Sequence, residues 1–298
     1  MKVKLLATDG TGKFREVEWE KPPITDNQIC VKALMTGVCR SDIDMISGKF
    51  GPLPLHMQGH EGLARVVEVG KNVVHVKVGE TVATRGEPAY ADFYNVRDGE
   101  FVVVPEAHQR YILEPIACGI NVVDQASSQI REREGKGKKL LILGSGFLSW
   151  VAYTRLKESK YKFKIDVVGR SNRDLWKSRL KRHYNGEYDV VIDLSNHKYV
   201  FTEPILNNNS LVIFGAQKSI TTDFSNLLWK ACTMVFPSPR TPMFLDCMYE
   251  AEDMVTNGTL NVDKFWTRGY QRNTEWAEAF SDGINRKKHY SRGFIVWD

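Results

Sequence analysis

The sequence predicts an α/β protein in two parts, a β-rich part first and a doubly wound parallel sheet after it. Three observations predict this. Up to about residue 100, short β-branched segments recur between Gly, Pro and Asn. From residue 111 helical spacing sets in and then alternates with continuous apolar strands. Within the second pattern, "LLILGSGFLSWVAY" (140–153) joins an apolar strand to an amphipathic helix through a glycine-rich turn.

The elements follow in order. "NQICVKALM" alternates, with Ile29, Val31, Ala33 and Met35 on one face, as a half-buried strand does. "ARVVEVG", "HVKVGETVAT" and "EFVVVPE" are further strands, and their spacing suits a barrel or sandwich. "YILEPIACGINVVDQASSQIRE" has apolar residues at 116, 120 and 123 and reads as helix. After the glycine turn come the strand "FKIDVVGRS", a basic helix over 173–183, and the strands "YDVVIDLS" and "NSLVIFGA". Apolar runs alternating with helices indicate a parallel sheet covered on both faces. "FLDCMYEAEDMVTNG" is a helix stopped by Gly258, and the tail ends in a helix over 274–285 and the strand "GFIVWD".

The bulk numbers narrow the function class. A chain of 298 residues, 42% hydrophobic and 26% charged, has an ordinary globular composition and is long enough for two domains. The longest apolar run is too short for a bilayer and is broken by Gly and Ser, and "MKVKLLATDG" holds no apolar leader. Five unpatterned cysteines suit a reducing compartment, so the expectation is a cytoplasmic protein without membrane partners. The net charge of +5 is modest, and no nucleic-acid module accompanies the basic clusters.

In "LILGSGFLS", Gly144, Ser145, Gly146, Phe147 and Leu148 lie where a strand turns into a helix. Glycine permits the tight turn and lets backbone N–H groups reach a pyrophosphate at the helix N-terminus. The third fingerprint glycine is replaced by Ser149. At the end of the next strand, where NAD-binding chains place a carboxylate for the ribose, "DVVGRSNR" has Gly169, then Arg170, Ser171 and Arg173. Guanidinium forks in place of a carboxylate favour a 2′-phosphate, so NADP is expected over NAD. Two solvated arginines on a loop are the plain alternative.

"MQGHEG" sets His60 beside Glu61. It is no zinc-protease helix, because position 64 is Ala64 rather than a second histidine. Read together, "GVCRSD", "GHEG", "VVEVG", "VGETV" and "LEPIACG" resemble the zinc-dependent medium-chain dehydrogenase/reductase family of alcohol, sorbitol and glucose dehydrogenases. With the glycine turn, the resemblance covers nearly the whole chain. It implies a GroES-like β-rich catalytic domain, residues 1–115 and 263–298, and a Rossmann-like nucleotide-binding domain, residues 116–262.

By the same resemblance, Cys39, His60 and Glu114 hold one catalytic zinc, and Glu61 ligates or exchanges with water. Cys118 is a less favoured third ligand. Ser41 passes on the alcohol proton and Asp42 orients a ligand. Many members end the relay with a histidine a few residues on, where this chain reads "IDMIS"; either Asp44 serves instead or the relay reaches water directly, and the plain alternative is that Asp44 is a surface residue. Arg40 matches a position that reaches the cofactor pyrophosphate. The implied activity is hydride transfer between NADP(H) and a small-molecule alcohol, polyol or sugar, by a homodimer or homotetramer that pairs near residues 232–238.

The chain departs from the family in two places. The four-cysteine lobe for a structural zinc is absent, so at most one zinc is expected. Between "VVGRS" and "YDVVID" there is room for one helix and little more, so strand order 3-2-1-4-5-6 is expected with its third strand missing or vestigial. A zinc-free quinone or enone reductase, a non-catalytic paralogue and a basic nucleic-acid-binding protein are the alternatives. The set Cys39, His60 and Glu114 argues against the first two, and the phosphate role of the arginines against the third.

Overall fold

The computed structural model describes residues 1–8, 10, 12–51, 54, 56–195, 205–216, 224–286 and 289–297. The chain begins with strands β1 (Lys2–Thr8), β2 (Phe14–Glu20) and β3 (Gln28–Gly37) and helix α1 (Arg40–Ile46). Strands β4 (Gly62–Val69), β5 (Thr81–Thr84), β6 (Phe93–Arg97) and β7 (Phe101–Val103) follow. Then come α2 (Glu114–Asp124), α3 (Ser127–Arg131), β8 (Lys139–Leu143), α4 (Phe147–Glu158), β9 (Lys164–Val168) and α5 (Arg173–Trp176). Strands β10 (Leu180–Lys181), β11 (Tyr188–Asp193) and β12 (Leu206–Phe214), helix α6 (Ser225–Trp229) and β13 (Thr233–Val235) complete the second sheet. The tail holds α7 (Phe244–Thr256), β14 (Trp266–Gln271), α8 (Trp276–Asn285) and β15 (Arg292–Val296).

Two compact units result, Met1–Ile116 with Met248–Asp298, and Ala117–Cys247. The second junction falls inside α7 instead of at 262/263. The strand expected at the C-terminus is β15; Asp298 lies outside the described residues.

In the first unit, β1 and β2 form an antiparallel hairpin, and seven strands form a second sheet in the order β14-β15-β3-β4-β5-β7, with β6 also pairing β3. Ile29, Val31 and Ala33 of β3 are buried at 0–1% exposure, but Cys30 between them is buried too, and Met35, past a register shift after Ala33, is only half-buried. The register positions the site. Strand β3 runs antiparallel to β4, with Thr36 opposite Gly62, and to β15, with Gly37 opposite Phe294. The end of β3 therefore borders the starts of β4 and β15. Cys39, Glu61 and Arg292, far apart in sequence, are brought to one end of one sheet.

In the second unit every strand pairing is parallel, in the order β10-β9-β8-β11-β12-β13. In chain order within that sheet this is 3-2-1-4-5-6, and the third strand is two residues long. Leu140, Leu141, Ile142, Val190, Val191, Ile192, Leu211, Val212 and Ile213 are all buried, as a sheet covered on both faces requires. Two local expectations are corrected. The helix expected over 173–183 is a single turn, α5, followed by a 3-10 turn (Lys177–Arg179) and β10. Trp176 is drawn fully inside against Trp150 and Tyr153, and Lys177 turns to φ +52°, which a helix does not tolerate. The helical segment after Tyr111 is split, with Ala126 separating α2 from α3. Among the described residues no helix is long and apolar enough to cross a membrane.

Candidate metal centre and nucleotide-binding turn

Cys39 Sγ, a ring nitrogen of His60 and a carboxylate oxygen of Glu61 lie within 4.8 Å of one another. Cys39 is the residue before α1, and its backbone N–H donates to Asp42 Oδ2 at 2.7 Å. His60 and Glu61 lead into β4. Gly37 N–H donates to Glu61 O at 2.9 Å, and a Cβ at Gly37 would lie 2.0 Å from Glu61 Oε2. Glycine at 37 is what gives the carboxylate its place.

A fully buried carboxylate needs a counter-charge. Arg292, at the start of β15, supplies it: its Nη2 donates to both oxygens of Glu61. Burial disfavours the guanidinium charge, but Glu61, Cys39 and Glu114 outweigh it and hold Arg292 above its ordinary value. Sequence reading passed over Arg292. The one available signal was the demand of buried Glu61 for a cation, which does not say where the cation sits.

The electrostatics fit a cation. Burial works against a charged His60, yet Glu114, a hydrogen bond with Cys39 and the Asp42 charge raise it well above the usual imidazole value. Burial, then Glu61 and Asp42, raise Cys39, against the opposing pull of His60. Negative groups thus crowd one buried point. Asp42 Oδ1 and Ser41 Oγ are buried without hydrogen-bond partners, and Asp42 Oδ1 lies 3.7 Å from His60 Nδ1. Thiol, imidazole and carboxylate are a zinc donor set. The residues present fit that ion.

The other expected residues fall as follows. Glu114 opens α2 and stays outside the 4.8 Å cluster, though its charge acts on His60 and Arg292. Asp44 is not a surface residue: at 6% exposure, its Oδ1 accepts from Arg40 Nε at 3.2 Å and Lys49 Nζ at 2.7 Å. No hydrogen bond joins it to Ser41, whose hydroxyl has none.

In the second unit, Gly144 takes φ +114° after β8 and Gly146 caps α4 with no side-chain cap bond. Among the described residues, a Cβ at Gly146 would meet nothing within 4 Å, so the turn leaves room at the N-terminus of a 12-residue helix. Phe147 is buried and Leu148 half-buried on its first turn. Ser149, in place of a glycine, lies tight on Gly144: a Cβ at 144 would be 3.0 Å from Ser149 Oγ.

Ser145 and Ser171 are spent on each other. Ser145 Oγ donates to Ser171 O at 2.8 Å and accepts from Ser171 N–H at 3.1 Å. Asn172 Nδ2 and Trp176 Nε1 donate to Ser145 O at 2.9 and 3.0 Å. This close approach gives Gly169 a steric reason, because a Cβ there would lie 2.4 Å from Ser145 Oγ. An aspartate at 169 has no space. Arg170 and Arg173 flank this point, both exposed and without ion pairs among the described residues. Asp166 serves the sheet instead, bonded to Lys181 at 2.6 Å and Tyr188 at 2.9 Å. The turn and its arginines fit a phosphorylated dinucleotide.

Residues 25–113 match the alcohol dehydrogenase GroES-like domain family. Beyond that segment, the chain is similar to zinc-type medium-chain alcohol, polyol and sugar dehydrogenases. It is 23% identical to D-arabitol-phosphate dehydrogenase of Enterococcus avium, with 91% of each chain covered. It is 25% identical to glucose 1-dehydrogenase 1 of Caldivirga maquilingensis, over 72% of this chain and 75% of the relative. Cinnamyl alcohol dehydrogenase SbCAD4 of Sorghum bicolor has the same fold, with a TM-score of 0.79, 17% identity, and 99% and 97% of the two chains covered.

Proposed function

We propose that this chain is a zinc-dependent oxidoreductase that transfers hydride between NADP(H) and an alcohol, polyol or sugar. The observation that carries the reading is the convergence of Cys39, His60 and Glu61 within 4.8 Å at one sheet end. Zinc held there would supply a Lewis acid toward a substrate oxygen, and a nicotinamide cofactor would supply the hydride donor or acceptor.

The chain's own residues do the rest. Cys39 and His60 hold the ion, with Glu61 and Glu114 as the carboxylates that complete its ligands directly or through water. Arg292 fixes the Glu61 carboxylate through both of its oxygens. Ser41, with an unpartnered buried hydroxyl, takes the substrate hydroxyl proton and passes it outward. The N-terminus of α4 holds the pyrophosphate, and Arg170 and Arg173 fork onto the 2′-phosphate. The carboxylates around the metal lean the substrate towards polyols and sugars. The working form is a homodimer or homotetramer joined through β13.

The test is a metal analysis combined with an NADP(H)-versus-NAD(H) activity screen over alcohols, polyols and sugars. One zinc per chain and NADP-linked turnover are expected. Cys39→Ala and His60→Ala should lose both, and a fully active metal-free variant refutes the mechanism. Arg170→Ala and Arg173→Ala should raise KM for NADP about tenfold or more with little change for NAD, since charge-assisted contacts are worth roughly 1.5–3 kcal/mol. Unchanged NADP affinity sinks that assignment.

A further inference from the structure

Tyr90 has no role in the reading above, yet its position ties the metal centre together. It is completely buried. Its phenol donates to Asp42 Oδ2 at 2.7 Å, with Gly37 O as a second acceptor at 3.1 Å. The same Oδ2 accepts the Cys39 N–H at 2.7 Å. With Oδ2 held from two sides, Oδ1 is left without a hydrogen bond, 3.7 Å from His60 Nδ1.

The ring itself is fixed. Phe14 and Phe280 meet it edge-on, with centroids 5.8 and 5.4 Å away. A Cβ on Gly59, the neighbour of His60, would lie 2.6 Å from Tyr90 Cδ2. Gly59 O also accepts the N–H of Ala89 at 3.0 Å. One side chain therefore abuts the backbone that carries His60 and anchors the carboxylate that faces its imidazole.

We propose that Tyr90 is a positioning residue of the metal centre: by anchoring Asp42 Oδ2 it aims Oδ1 at His60 Nδ1 and leaves the other ring nitrogen for the ion. The proposal rests on Cys39, His60 and Glu61 being a zinc site. Groups that orient a metal-bound histidine typically change metal affinity 10–100-fold when removed, and Tyr90 acts one bond further out.

The test is Tyr90→Phe, which keeps the ring and its packing. Zinc affinity is read by competition with a chromophoric chelator, and the thiolate-to-metal absorption by cobalt substitution. Affinity should fall about tenfold, near the lower end of that range, and the cobalt band should move. Asp42→Asn should weaken zinc as well, and Tyr90→Phe should then add nothing in that background, because one effect acts through the other. Unchanged zinc affinity and cobalt spectrum in Tyr90→Phe, even with a lowered melting temperature, overturn the proposal, as do additive losses in the double variant. If Tyr90→Phe does not fold, Asp42→Asn decides alone: unchanged affinity there removes the route through which Tyr90 would act. Wild-type protein that takes up no zinc refutes the metal site itself, whereas zinc-binding wild type with an unaffected Tyr90→Phe refutes only the role of Tyr90.

Discussion

At the scale of the residue, glycines decide where the charges of this centre can stand. Gly59 takes φ +75°, a conformation other residues adopt only with strain, and packs against the Tyr90 ring. An added methyl would meet Cδ2, Cγ and the backbone N of Tyr90 at 2.6, 2.7 and 2.9 Å. Left-handed strain and overpacking each cost roughly 1–3 kcal/mol. Gly59→Ala should therefore lower the melting temperature and the zinc content together; a variant as stable and zinc-loaded as wild type would show that the loop yields freely. Cys39, His60 and Glu61 were legible in sequence because short motifs surround them. Arg292 and Tyr90 were not. They lie 231 residues from Glu61 and 48 from Asp42, and only the registers of β3 and of the backbone around Gly59 bring them in.

At the scale of the element, legibility followed burial. Strands β8, β11 and β12 are covered on both faces and announce themselves as apolar runs. Strand β10 does not, because its two half-buried residues sit in a basic stretch that reads as helix. An ion pair across the strands supports it: Lys181 Nζ lies 2.6 Å from Asp166 Oδ1, and Tyr188 donates to Oδ2. Burial pushes Asp166 upward, but the bonds from Lys181 and Tyr188 and the charges of Lys181 and Lys164 outweigh it, leaving Asp166 below its ordinary value. A depressed carboxylate stabilises the fold fully above its unfolded value of about 3.9, and that stabilisation is lost as pH falls through the folded value. Asp166→Asn should thus be less stable than wild type near neutrality, by a constant margin that shrinks below about pH 4. Urea unfolding across that range checks it, and a margin that does not change with pH would assign the loss to shape rather than charge.

At the scale of the whole molecule, the sheet of the second unit ends, among the described residues, in the two-residue β10 on one side and in β13 on the other. Strand β13 is the end of its sheet, paired only to β12. Near it in sequence stand large apolar side chains in solvent: Phe224 at 56% exposure, Leu228 at 75%, Trp229 at 85% and Phe236 at 67%. An open strand edge templates pairing, and apolar residues gathered in one stretch mark an interface more often than a bare surface. The charged residues that usually blunt an edge are absent from Thr233, Met234 and Val235 themselves. A second copy suits this edge because two β13 strands related by a two-fold axis would extend one sheet into the other. Sedimentation at micromolar concentration should show a dimer. Leu228→Glu together with Trp229→Glu should shift it to monomer while leaving zinc content unchanged, since both residues belong to the second unit and the metal ligands to the first. A wild-type chain that sediments as a monomer, or a double variant that stays dimeric, would remove β13 and α6 from the assembly.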